Sequence, residues 1–217
     1  MTDTDAGGAA RPLTGAAATR AALLAAAREE FAEHGVAGAR VDRIAARAGV
    51  NKERIYGYFG NKEKLYDAVM RIALDEVAAV AASPGDDPAA YVGAMFDHYR
   101  TRPDLVRLLM WESLHHRDGT LPEQAWREER CRAKATELAA GMGREPTAED
   151  ERLMLTLKGL ALIPFVLPRI AELMGVGVDD PADVAALRDH VTGFACAALG
   201  GPPESGDAEG ESVVSGS

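Results

Sequence analysis

Apolar residues recur at three- and four-residue intervals along most of the chain, and this spacing predicts helices. A first helix over about 14–34 is carried by Leu24, Ala27 and Phe31, and Gly35 ends it. A second over 41–48 buries Val41, Ile44, Ala45 and Ala48 on one stripe. After the break at Gly49-Val50, Asn51 caps a third helix in which Ile55 and Phe59 sit four apart, and Gly60 stops it. Asn61 caps a fourth with Leu65, Ala68, Val69 and Ile72 as its apolar face, ending near Ser83-Pro84-Gly85. Further helices are expected at about 88–101, 103–116, 122–142, 147–172 and 181–199, with Pro103 at a helix start and Pro164 and Pro168 kinking or ending the long apolar one.

Composition agrees with an all-α chain: alanine is abundant and the β-branched runs that mark strands are scarce. With 217 residues, 47% of them hydrophobic, the chain is long enough for one compact domain or a small and a larger one. Residues 1–12 and 201–217 read as disordered tails. Cys131 and Cys196 are far apart and show neither metal nor redox spacing, as in a reduced cytosolic protein. Met1 to Ala10 lack the features of a secretion signal. The longest uncharged apolar run, Gly159 to Pro168, is about half of a membrane span. A cytoplasmic protein without membrane contact is expected.

The net charge of −10 speaks against a polyanionic partner until its distribution is considered. Between Arg11 and Asp75 there are 11 Lys/Arg and 8 Asp/Glu, against 13 and 26 in the rest of the chain. The N-terminal third is mildly basic, and the acidic remainder would have to face away from any duplex.

Two short helices that cross steeply need a small residue at the crossing and a glycine in the turn. Ala45, Gly49 and Val50, followed by a capped helix with Ile55 inward, meet that need. The run Val41-Asp42-Arg43-Ile44-Ala45-Ala46-Arg47-Ala48-Gly49-Val50, continued by Asn51 to Leu65, closely resembles the DNA-binding domain of the tetracycline-repressor (TetR) family. Thr19-Arg20, Leu24, Phe31 and Gly35-Val36 fit the same pattern, so the resemblance spans about 14–80.

The resemblance implies a helix-turn-helix DNA-binding domain over 13–60, a connecting helix over 61–83, and a ligand-binding and dimerisation domain of helices over 86–200. The third helix would then enter the major groove of operator DNA with Asn51, Lys52, Glu53, Arg54, Tyr56, Gly57 and Tyr58, while Lys62 and Arg40 reach phosphates. Lys52 and Arg54 suit guanine acceptors or phosphates, Tyr56 and Tyr58 offer hydroxyls, and Gly57 removes a side chain where helix and duplex come close. Arg40 stands where the family often has Thr or Ser, so the second helix loses a side-chain cap. Read without the resemblance, Lys52, Glu53 and Arg54 would be an ordinary solvated face and Tyr56 a packing residue with its hydroxyl at the surface.

Leu153 to Leu173 is apolar on most faces, and Val184, Leu187, Val191, Phe194, Ala195 and Ala198 keep helical spacing. These stretches read either as intrachain core or as the interface of the homodimer that the resemblance implies. For a small-molecule effector the expected lining is Met95, Phe96, Tyr99, Met110, Trp111, Leu114, Trp126 and Phe165, large or adaptable groups that core packing alone would also explain. His98, His115, His116 and Asp118 raise a metal option, but adjacent histidines diverge by about 100° on a helix, and no metal or other cofactor is expected. The function expected is ligand-released repression of transcription. The alternative is a helical ligand- or protein-binding regulatory module with weak or no specific DNA binding. No nucleophile–base pair or phosphate loop supports an enzyme.

Overall fold

The computed structural model describes residues 15–80, 83–115 and 120–199. The expected tails, and His116 and Asp118, lie outside them. Ten α-helices and no strand are present among the described residues: α1 (Ala16–Gly38), α2 (Val41–Arg47), α3 (Lys52–Phe59), α4 (Lys62–Val80), α5 (Pro88–Thr101), α6 (Pro103–His115), α7 (Gln124–Gly141), α8 (Ala148–Val166), α9 (Pro168–Leu173) and α10 (Pro181–Ala198). They fold as two compact units that interleave along the chain. One is drawn from Met1–Ala81, Asp97–Arg130 and Phe165–Leu167, the other from Ala82–Phe96, Cys131–Pro164 and Pro168–Ser217.

In the first unit α1 packs on α2, α4 and α6. Leu23, Ala27, Phe31, Ile44, Ile55, Leu65 and Met70 are fully buried there. The buried stripe of α4 is rotated from the one read from the sequence, and Ala68 falls on its half-buried margin. It runs through Leu65, Tyr66, Val69, Met70 and Ala73, and Ile72 is left outside. The reason is that α4 has two neighbours on that side: the Tyr66 ring meets Phe31 of α1 edge-on at 5.2 Å, and its hydroxyl donates to the Leu108 carbonyl of α6 at 3.4 Å.

Gly35 interrupts α1 rather than ending it: with φ 65° and ψ 177° it turns the chain so that one more turn, through Gly38, follows at a new angle. Trp111 of α6 lies on this bend, and its indole N–H donates to the Ala32 carbonyl at 3.3 Å.

An ionic cluster fixes α4 against α1 and α6. Arg28 grips both oxygens of Glu76 at 2.8 and 2.9 Å and also donates to Asp104, while Arg102 reaches Glu76 at 3.1 Å and Asp104 at 3.3 Å. Burial pushes the Asp104 carboxyl up, but hydrogen bonds from Arg102 and Arg28 outweigh it and hold it below its ordinary value. His98 of α5 is buried, with Nε2 lacking a hydrogen-bond partner among the described residues. Its burial, then the nearby Arg102 and Arg28 cations, hold it below 6.5 despite Glu76 and Asp104.

The pH dependence follows from these signs. A histidine with a depressed folded-state pKa binds protons more readily when unfolded, so its contribution to stability is lost as pH falls below about 6.5. A carboxylate with a depressed pKa loses its contribution as pH falls below the ordinary carboxylate range of about 4. Urea melts between pH 7.5 and 3.5 should therefore show two successive declines, and His98→Asn should abolish the upper one. A midpoint constant down to pH 5 in the wild type would contradict this.

In the second unit Asp150, fully buried, accepts from both Arg144 nitrogens at 2.6 and 2.7 Å and from the Thr147 amide and hydroxyl at 2.7 and 2.9 Å, which anchors the start of α8. The Arg144 hydrogen bonds hold its carboxyl well below the usual range. Pro164 is accommodated inside α8, which then ends before Pro168 restarts the chain as the short α9. Gly85 and Gly141 touch backbone to backbone: a Cβ on Gly141 would lie 2.0 Å from the Gly85 carbonyl oxygen.

Candidate nucleic-acid interface

The turn between α2 and α3 is built as its residues require. Ala45 is buried at the crossing, Gly49 takes φ 68°, and the Val50 amide donates back to the Ala45 carbonyl at 3.0 Å. The Asn51 side chain then accepts from the Arg54 amide at 3.2 Å and starts α3. Ile55 and Phe59 anchor α3 inward, with the Arg20 guanidinium 5.4 Å above the Phe59 ring. Everything else on α3 but the half-buried Tyr58 is therefore turned outward: Lys52, Glu53, Arg54, Tyr56 and Gly57 are exposed.

α2 is aimed by Glu30 of α1, a residue the sequence did not single out. Its fully buried carboxylate accepts from the Arg40 amide and from Arg43 Nε, both at 2.8 Å. Burial raises this carboxyl, but Arg43, the Arg40 amide and His34 together bring it below its ordinary value. The Arg40 amide thus finds its acceptor in α1, and α2 has no side-chain cap, as the Arg40 position led one to expect. The Arg40 side chain stays exposed.

Each remaining residue of the expected interface has a defined setting. Lys52 faces Asp42 at 3.5 Å. The Tyr58 hydroxyl donates to the Ala16 carbonyl at 3.2 Å and ties α3 to the start of α1, whereas Tyr56 is half exposed. Asn61 accepts from the Lys64 amide at 2.7 Å to open α4, and the Lys62 ammonium sits 3.4 Å from the Ala39 carbonyl. Asn51, Glu53, Arg54, Gly57 and Tyr58 surround one shallow open notch on the outer face. Cationic, hydroxylic and amide donors grouped around a protruding helix can bind phosphates at the edges and base edges in the middle.

The residues expected to line a ligand site do not share one kind of setting. Met95, Phe96 and Tyr99 of α5 are buried, and burial pushes the Tyr99 hydroxyl up to about 12. Met110, Trp111 and Leu114 of α6 are 37–54% exposed, and Trp111 is engaged with α1. Trp126 of α7 carries Arg71 at 3.8 Å and Arg130 at 4.8 Å from its ring centroid, and Phe165 is half-buried. Among the described residues no group of three His, Cys, Asp or Glu side chains is gathered for a metal ion, and no helix is long and apolar enough to cross a membrane.

Two crossed helices with a glycine turn and an outward, capped second helix define a helix-turn-helix DNA-binding unit. The family described as "Bacterial regulatory proteins, tetR family" matches residues 23–69, and "Tetracyclin repressor-like, C-terminal domain" matches residues 87–195. The chain is 34% identical over 177 residues to the HTH-type transcriptional repressor SCO4008 of Streptomyces coelicolor, covering 80% of this chain and 91% of that one. It is 36% identical over 103 residues to the HTH-type transcriptional regulator RutR of Escherichia coli, covering 45% and 49%. The crystal structure of SCO4942 from Streptomyces coelicolor matches with a TM-score of 0.68 at 34% identity, over 81% of this chain and 97% of that one. The chain belongs to the TetR family of DNA-binding transcriptional regulators.

Proposed function

We propose that the protein acts as a homodimer on a palindromic operator and that a small-molecule effector releases it. The observation that carries the DNA reading is the partition of α3: Ile55 and Phe59 are buried while Lys52, Glu53, Arg54, Tyr56 and Gly57 face out together. In a two-fold dimer the two α3 helices enter successive major grooves about 34–36 Å apart. Arg54 reads base edges, Lys52, Tyr56, Arg40 and Lys62 hold phosphates, and Tyr58 joins them only by giving up its hydrogen bond to the Ala16 carbonyl, with Asn51 capping the helix that does the reading. The residues of 13–60 form the DNA head, α4 connects it, and 86–200 supply dimer and effector functions.

The dimer reading rests on apolar groups left outside: Leu155 and Ile163 of α8 are 72% and 55% exposed, and Phe194 of α10 is 53% exposed. The effector reading rests on buried Met95, Phe96 and Tyr99, whose size and adaptability suit an apolar ligand. An effector acts only through better affinity for the released state.

Fluorescence anisotropy on promoter DNA at several salt concentrations tests the interface. Arg54→Ala should cost about 1–3 kcal/mol on specific DNA and little on random DNA. Lys62→Ala should weaken both and reduce the salt slope by about one phosphate's worth. An unchanged specific affinity for the first variant, or an unchanged slope for the second, contradicts the role assigned to it.

A further inference from the structure

Gly57 has no internal reason to be glycine. It lies in the middle of α3, where glycine weakens a helix, and its φ is not among the positive ones. A Cβ built on it meets nothing within 4 Å. The free protein would therefore be more stable with alanine there, and the space above Gly57 is open to something that comes from outside.

What comes is constrained by the neighbours. Glu53 is one helical turn before Gly57, on the same outward face, and both line the notch. The Glu53 carboxylate is exposed and forms no ion pair or hydrogen bond with another described residue, while the nearby Lys52 is turned to Asp42. A carboxylate in a DNA groove only accepts hydrogen bonds and is repelled by phosphate, so it is tolerated where a base offers an amino group. The cytosine N4 amino group is the donor that Glu reads in the major groove. The C5 position adjoins it on the same edge of the ring, and Gly57, one turn on from Glu53 in the same notch, leaves open space on that face.

We propose that Glu53 and Gly57 together read a cytosine in each operator half-site, Glu53 accepting from N4–H and Gly57 leaving room for the C5 edge against the helix backbone. This rests on α3 being the reading helix. Gly57 is thus a specificity-determining residue whose cost in helix stability is offset only in the complex.

Selection from a randomised duplex library with the wild type, Glu53→Gln and Gly57→Ala, followed by anisotropy and thermal melting, tests it. The wild-type consensus should hold a cytosine where Glu53→Gln selects adenine, the base a glutamine reads. Gly57→Ala should melt about 1–4 °C higher than wild type. It should bind the wild-type consensus about tenfold or more weakly, in line with the loss of one base contact. Methylation of that cytosine at C5 should change wild-type affinity less than about twofold and weaken Gly57→Ala further, since methyl and Cβ would then compete for the notch. An unchanged consensus for Glu53→Gln, wild-type affinity for Gly57→Ala, or a lowered melting temperature for Gly57→Ala each overturns the proposal. A wild type that enriches no sequence overturns the DNA-reading role of α3 itself.

Discussion

Gly35→Ala should lower the thermal midpoint by about 5–15 °C, the largest stability effect of any single methyl group in the DNA head. Two costs coincide there. The backbone sits at φ 65° and ψ 177°, a region that only glycine enters freely, and a side chain held there costs about 1–3 kcal/mol. The added Cβ would also lie 2.8 Å from two carbons of the Trp111 ring, which cannot retreat without giving up its hydrogen bond to Ala32, and overpacking of that kind costs about 1–3 kcal/mol. For a chain of this length each kcal/mol moves the midpoint by about 2–4 °C. Differential scanning calorimetry checks it. The double variant Gly35→Ala/Trp111→Phe should recover the clash component only, because the smaller ring makes room but leaves the backbone strained. A single variant that melts within 2 °C of wild type would show that the bend is soft.

Phe194→Glu should give a folded monomer that binds its operator about a hundredfold or more weakly, because half of the paired contacts are lost. Phe194 projects from α10 between His190, Gly193 and Ala197, all exposed, and a Cβ on Gly193 would meet nothing within 4 Å. A large apolar ring beside the small Gly193 and Ala197 suits a close helix–helix contact, and in a two-fold dimer the same residue serves on both sides. A carboxylate there would be buried twice, at a cost of several kcal/mol unless it is paired. Analytical ultracentrifugation with circular dichroism separates the outcomes. A sedimenting dimer with unchanged operator affinity would assign Phe194 to plain solvated surface.

Legibility from sequence followed the range of the forces involved. The helix-turn-helix was readable because it is local: Ala45, Gly49, Asn51 and Ile55 lie within eleven residues, and each does what its chemistry dictates. The inward pair Ile55 and Phe59 made most of the outward set of α3 readable by subtraction, but Tyr58, expected to face outward, is half-buried with its hydroxyl on the Ala16 carbonyl, a partner 42 residues away. Glu30 escaped notice because nothing in its own helix marks it. Its partners, the Arg40 amide and Arg43, are ten and thirteen residues on, and only the bend at Gly35 brings them together. The Arg28, Glu76 and Asp104 cluster is legible in no window, since three helices contribute to it. The Thr147-x-x-Asp150 pair carried a recognisable capping signal ahead of an apolar run, and that signal would have placed the start of α8. Bulk did not show how the two tryptophans are held: Trp111 donates to the Ala32 carbonyl of α1, and Trp126 stacks under Arg71 of α4. Proline told more about α8 than periodicity did, because Pro168 ends what an unbroken apolar pattern would have extended to residue 172.

Hydroxyl-radical footprinting of the DNA that flanks the protein's own gene, with wild type and Arg54→Ala side by side, tests most directly whether the outer face of α3 reads DNA. Wild type should protect two symmetric patches whose centres are about 34–36 Å apart on one face of the duplex, and Arg54→Ala at the same concentration should protect neither. Identical protection by both proteins, or none by the wild type, would contradict the assignment.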